Sequence, residues 1–165
     1  MKKFMEIPVK DSIYEEFEQY IREGGFPGAL KYNKEEDRKL YVTNILNDIF
    51  VKDIRANNKI KNTDTFKSIQ RYIINNFGAM ISVGSIQKYN ESIKLNIDTR
   101  TIEKYLEILS NAKIIYPCNT FDIKSKTSLS GEKKYYLADL SIYFLYNTDN
   151  RINYGPVLEN ILYNY

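Results

Sequence analysis

The residues able to do chemistry in this chain are few, and several absences narrow the field first. There is no histidine among the 165 residues, which removes the commonest general base and any conventional zinc cluster. The single cysteine, Cys118, excludes an internal disulfide. Behind Pro117, at an expected strand end, it reads as a packed thiol with no neighbour to activate it. Asp48 and Asp53 stand about 140° apart around a helix, too divergent to share a metal ion. They read as solvent-facing acids or partners of Lys52 and Arg55. No Gly-x-x-x-x-Gly-Lys-Ser/Thr loop and no apolar strand ending in paired acids is present, so a phosphate cradle and magnesium site are absent.

Two groups of residues remain. In Gly24-Gly25-Phe26-Pro27-Gly28 the glycines permit positive φ or close backbone approach, and Pro27 ends helical continuation. The run serves as a turn between helices, or lets a ligand phosphate or base reach the backbone. The second group is basic. Arg100 and Lys104 face outward on an expected helix, and Lys124, Lys126, Lys133 and Lys134 flank the tip of an expected hairpin. If all four hairpin lysines met phosphates, the log-log salt slope of duplex binding would be about −3.6. Glu103 and Glu107 point in similar directions to Arg100 and Lys104 and would repel phosphates, so a solvated face fits the same residues.

The elements that must position these groups centre on Phe66–Tyr116. Phe66, Ile69, Tyr72, Ile73 and Phe77 share a helical face, and Gly78 follows where a left-handed residue ends a helix. Ser82 caps a second helix through Ser85, Ile86 and Tyr89, and Asp98 a third through Ile102, Tyr105, Leu106 and Leu109. Lys113–Tyr116 turns strand-like and is closed by Pro117. Phe121–Ile123 and Lys133–Leu137 then flank a Ser/Gly-rich tip as a hairpin. Three helices feeding a strand and a hairpin predict a mainly α fold with a small β-hairpin, a winged helix-turn-helix.

Ahead of it, Lys2–Val9 reads as a strand remnant or connector. Ser12 and Glu15 have capping-box spacing before a helix with an Ile13, Phe17, Tyr20 and Ile21 stripe. Asn33 and Glu36 open a further helix of nearly six turns carrying Leu40, Ile45, Leu46, Ile49, Phe50 and Ile54. Behind it, a short helix over Leu140–Tyr146 and a loop over Asn147–Asn153 lead to a helix opened by Gly155-Pro156. Tyr143, Phe144, Tyr146, Tyr154, Tyr163 and Tyr165 are expected to form an exposed aromatic patch for docking or self-association. The +3 net charge is mild for a duplex binder, and no apolar run approaches the roughly 20 residues of a membrane span. A cytoplasmic protein is the expectation.

Six runs line up, in order, with one family. They are Tyr20–Pro27 (a "GGxP" segment), Ile49–Ile54, Asn76–Ser82, Thr101–Leu106, Lys134–Asp139 and Gly155–Asn160. With these the chain resembles prokaryotic AAA+ ATPases of the archaeal type. The resemblance implies a P-loop core, then lid-like helices and a winged helix, then a domain similar to the restriction-endonuclease fold. On it, residues 1–60 correspond to the lid-like region, 61–146 to the winged helix and 147–165 to the opening of the last domain. It implies that Gly24, Gly25, Phe26 and Pro27 lie near nucleotide in the intact protein. Glu159 matches an acidic residue on the first helix of the nuclease-like domain. ATP and magnesium belong to the absent core, so no cofactor, metal or catalysis is expected of this chain. The partners implied are that core and the C-terminal domain. DNA contact and nucleotide-state coupling remain alternatives.

Overall fold

The computed structural model describes residues 11–55, 60–122, 127–146 and 151–165. In chain order come α1 (Asp11–Glu23), a single 3₁₀ turn (Ala29–Lys31) and α2 (Glu35–Asp48), which runs on into wider π-type turns over Ile49–Arg55. There follow α3 (Thr63–Asn75), β1 (Met80–Ser82), α4 (Val83–Ser92), α5 (Thr99–Asn111), β2 (Ile115–Asp122) and β3 (Thr127–Leu137). Helices α6 (Ser141–Tyr146) and α7 (Tyr154–Asn164) complete the described chain. It is mainly helical, with one small antiparallel sheet in the order β1-β3-β2.

The helices start where side chains satisfy free amides. The Asn62 carboxamide accepts from the Asp64 and Thr65 amides ahead of α3, at 2.9 and 3.1 Å. Ser82 and Ser85 form a reciprocal capping box at α4, and Asp98 accepts from the Thr101 amide at 2.9 Å to open α5. The apolar stripes of α3 and α5 meet in one core. Phe66, Ile69 and Ile73 are fully buried, and Phe66 meets Tyr105 edge-on at 5.2 Å. Ile21, Leu46, Ile54, Ile86, Leu137, Ile142 and Val157 join the same cluster, so α1, α2, α4, β3, α6 and α7 share it. Burying each such side chain contributes about 1.5–3 kcal/mol.

Several expectations need correction. The sheet has a third strand, because Met80–Ser82 pairs with Lys134–Glu132 of β3. Pro117 does not close β2. It pairs with Tyr135 inside the strand, and β2 lies at the sheet edge, where a missing amide leaves no ladder bond unmade. Lys34, not Asn33, precedes α2 and makes no side-chain cap. Glu35, Glu36 and Asp37 instead set negative charge against that helix N-terminus. Val42 and Leu46 are its buried residues, while Leu40 is 59% exposed. Among the residues of α1 whose burial is described, only Ile21 is buried; Ile13, Phe17 and Tyr20 are 47%, 37% and 46% exposed. Phe144 belongs to the core and Tyr143 is half-buried against it rather than in an exposed patch, whereas Tyr146, Tyr154, Tyr163 and Tyr165 are exposed. The expectations for residues 2–9 and for 147–150 lie outside the described residues.

Candidate functional site

Helix α1 ends where the Gly24 amide donates to Tyr20 O at 2.8 Å and Gly24 takes φ +76°. The approach that this glycine permits is made by the chain's own Asp139. A Cβ at Gly24 would stand 1.8 Å from Asp139 Oδ1 and 2.8 Å from Ser141 Cβ. Asp139 Oδ2 accepts the Gly25 amide at 2.7 Å, across 114 residues of sequence. Its Oδ1 accepts the Ser141 amide at 2.8 Å and the Ser141 hydroxyl at 2.5 Å. One carboxylate therefore caps the start of α6 and closes the α1 turn. Phe26 is half-buried against the core and Pro27 is exposed.

Beside this tie, Glu23 pairs with Arg38 Nη2 at 2.5 Å, both side chains largely covered. Arg38 Nη1 donates to Tyr32 O at 2.8 Å and to Asn33 O at 3.2 Å, fixing α1 to the approach of α2. A cleft of about 300 Å³ between α1, α2 and α6 is lined by Glu15, Glu18, Arg22, Glu35, Arg38 and Phe144, among others. Its charges largely neutralise one another.

The second tie joins α7 to β3. Glu159 Oε1 accepts from Lys134 Nζ at 2.5 Å and from the Tyr136 hydroxyl at 2.7 Å. Asn160 is buried, and its carboxamide pairs with Leu137 as a strand would: the Leu137 amide donates to Oδ1 at 2.7 Å and Nδ2 donates to Leu137 O at 3.0 Å. Asn164 Nδ2 adds a bond to the same carbonyl at 2.7 Å, and Tyr163 stacks on Tyr136 at 4.1 Å. Gly78, at φ +74°, leaves room for Pro156, whose Cβ lies 3.3 Å from where a Gly78 Cβ would be. A third, exposed contact has the Tyr154 hydroxyl donating to Glu18 of α1 at 2.5 Å.

The electrostatics hold this second tie closed. The hydrogen bond from Lys134, then that from Tyr136, holds the Glu159 carboxyl below its ordinary value of 4.5. Burial, then the Glu159 carboxylate beside it, pushes the Tyr136 phenol well above its ordinary 10.0. Acid–base catalysis near neutrality wants the opposite, groups moved toward the working pH. Among the described residues no group of three or more His, Cys, Asp or Glu side chains could hold a metal ion.

The expected basic surface is divided. Arg100, Lys104 and Lys133 are exposed, but Lys134 is engaged by Glu159. Lys124 and Lys126 lie outside the described residues. The groove beside α5 is lined by Glu103, Glu107 and Lys133, not by Arg100 or Lys104. In the sequence Asp139 and Asn160 stand out only as members of the matching runs, with no role of their own. Their signal was a polar residue beside or within an apolar pattern.

The ties thus gather the runs at 20–27, 76–82 and 155–160 around a single one, Lys134–Asp139. The chain belongs to the family described as domain of unknown function DUF8612, whose model matches residues 14–150. That span contains Gly24, Gly25 and Asp139 but stops short of Glu159. The chain is 29% identical over 153 residues to an uncharacterized protein of Haemophilus influenzae, covering 93% of this chain and 37% of that protein. It is 29% identical over 145 residues to the uncharacterized protein MJ1544 of Methanocaldococcus jannaschii, covering 88% of this chain and 32% of that protein. It therefore spans about a third of the length of these curated relatives. No solved structure matches it. No helix among the described residues is long and apolar enough to cross a membrane.

Proposed function

We propose that the chain is a winged helix-turn-helix module of an AAA+-type ATP-binding protein. It is non-catalytic in itself and passes nucleotide state from the α1–α2 region to the segment that α7 opens. The order α3-β1-α4-α5-β2-β3 with sheet order β1-β3-β2 supports the winged-helix reading. The observation that carries the coupling is Asp139, which binds the Gly25 amide on one side and the start of α6 on the other. Two residues earlier on the same chain, Leu137 is gripped by Asn160 of α7. A shift of the glycine turn would thus act on the strand end that seats α7. The test uses the intact protein with magnesium and a non-hydrolysable ATP analogue, reading amide exchange in α7. Exchange that responds to nucleotide in the wild type, and no longer does in Asp139→Ala, is the expected result. No response in the wild type would overturn the reading.

A second reading, duplex contact, draws on the exposure of Arg100, Lys104 and Lys133. Glu103 and Glu107 oppose it, and the internal bond of Lys134 removes one expected phosphate ligand. Fluorescence anisotropy with a random duplex decides: binding with a salt slope of about −3 or steeper would favour it.

A further inference from the structure

A wide concavity lies between β1, the start of α4, the outer face of α5 and the β2–β3 sheet. It measures about 960 Å³, enough for several side chains of another molecule. Ile81, Leu106 and Tyr135, each nearly buried, form its base, with Val83 and Pro117 at the flanks. Ser110, Asn111 and Asn119 bring side chains that match peptide amides and carbonyls. Among the described residues its charged lining is Glu103, Glu107 and Lys133. Glu103 and Glu107 are exposed and one turn apart on α5, so their carboxylates share a face. Among the described residues none of the three enters an ion pair.

We propose that this groove docks a protein segment carrying one lysine or arginine beside an apolar residue. The cation faces the Glu103–Glu107 pair, and the apolar side chain rests on Leu106, Tyr135 and Pro117. Lys133 stands across the groove as a donor to the segment's backbone carbonyls, which is why one cation fits and a run of them does not. Nucleic acid is the wrong chemistry here. Its phosphates would meet two carboxylates, while Arg100 and Lys104 on the same helix are not among the lining residues. The inference does not depend on the ATPase reading, because it rests on the groove alone.

The experiment is a ¹⁵N–¹H correlation titration of the protein with an acetylated, amidated Ala-Leu-Arg-Leu-Ala peptide at low salt. Its Ala-Leu-Glu-Leu-Ala counterpart and a random-sequence duplex are run alongside. Shifts concentrated on the amides of residues 81–84 and 103–111 are expected with the arginine peptide and not with the glutamate one. Glu103→Gln with Glu107→Gln should weaken that binding about fivefold, the scale of two exposed charge pairs, with an unchanged circular dichroism spectrum. The proposal is overturned if the groove amides do not move with the arginine peptide, if the double variant binds it equally well, or if the duplex moves the same amides.

Discussion

Asp139 makes three hydrogen bonds from one carboxylate, and Gly24 is the residue that lets it do so. Gly24→Ala places a Cβ on Asp139 and forces a left-handed alanine. The second effect alone costs about 1–2 kcal/mol, so urea unfolding should show a loss of at least that size. Asp139→Ala removes the α6 cap and leaves the Gly25 amide unpaired, a loss of about 2 kcal/mol in the same measurement. Asn160→Ala should cost about as much, since it leaves the buried Leu137 amide without its acceptor, while the Leu137 carbonyl keeps its bond from Asn164. Glu159 adds a pH signature. Its folded pKa is depressed, so its contribution is fully present above the ordinary value of 4.5 and is lost as pH falls through the folded value. The melting-temperature gap between wild type and Glu159→Gln should therefore be largest at neutral pH and close under acid. Local residue roles were legible in the sequence: Ser82 and Asp98 cap helices from within three residues. Asp139 was not, because its partner lies 114 residues away and no pattern of spacing encodes that pairing.

Elements with an apolar stripe matched to a partner were read directly. The stripes of α3 and α5 lie buried where their period places them. Periodicity reveals which face of a helix is apolar but not whether anything covers it, and α1 shows the difference: its Ile13, Phe17 and Tyr20 remain exposed. Strand β1 escaped notice because three residues are too short for alternation to register, and its existence depends on pairing with β3. In α2 the apolar pattern continues past Asp48, yet the chain widens into π-type turns that still bury Ile54. The capping box at α4 gives a test at this scale. Ser82→Ala should cost about 1 kcal/mol, read by thermal melting, because it frees the Ser85 amide at the junction of β1 and α4.

At the scale of the molecule, one core joins the helices that precede the sheet to those that follow it. The strand end at Lys134–Asp139 is where the ties from the two sides meet, Gly25 through Asp139 and α7 through Lys134, Tyr136 and Leu137. The relatives are about three times as long as the aligned region. In our proposal the chain is a joint within such a protein, and its chemistry lies in its contacts rather than in a catalytic centre. Native-state amide exchange on this chain, wild type against Asp139→Ala, tests that claim most directly. The variant is expected to lose protection in α7 as well as at the end of α1, although Asp139 bonds to neither Glu159 nor Asn160. Unchanged protection throughout α7, with loss confined to α1 and α6, would contradict it.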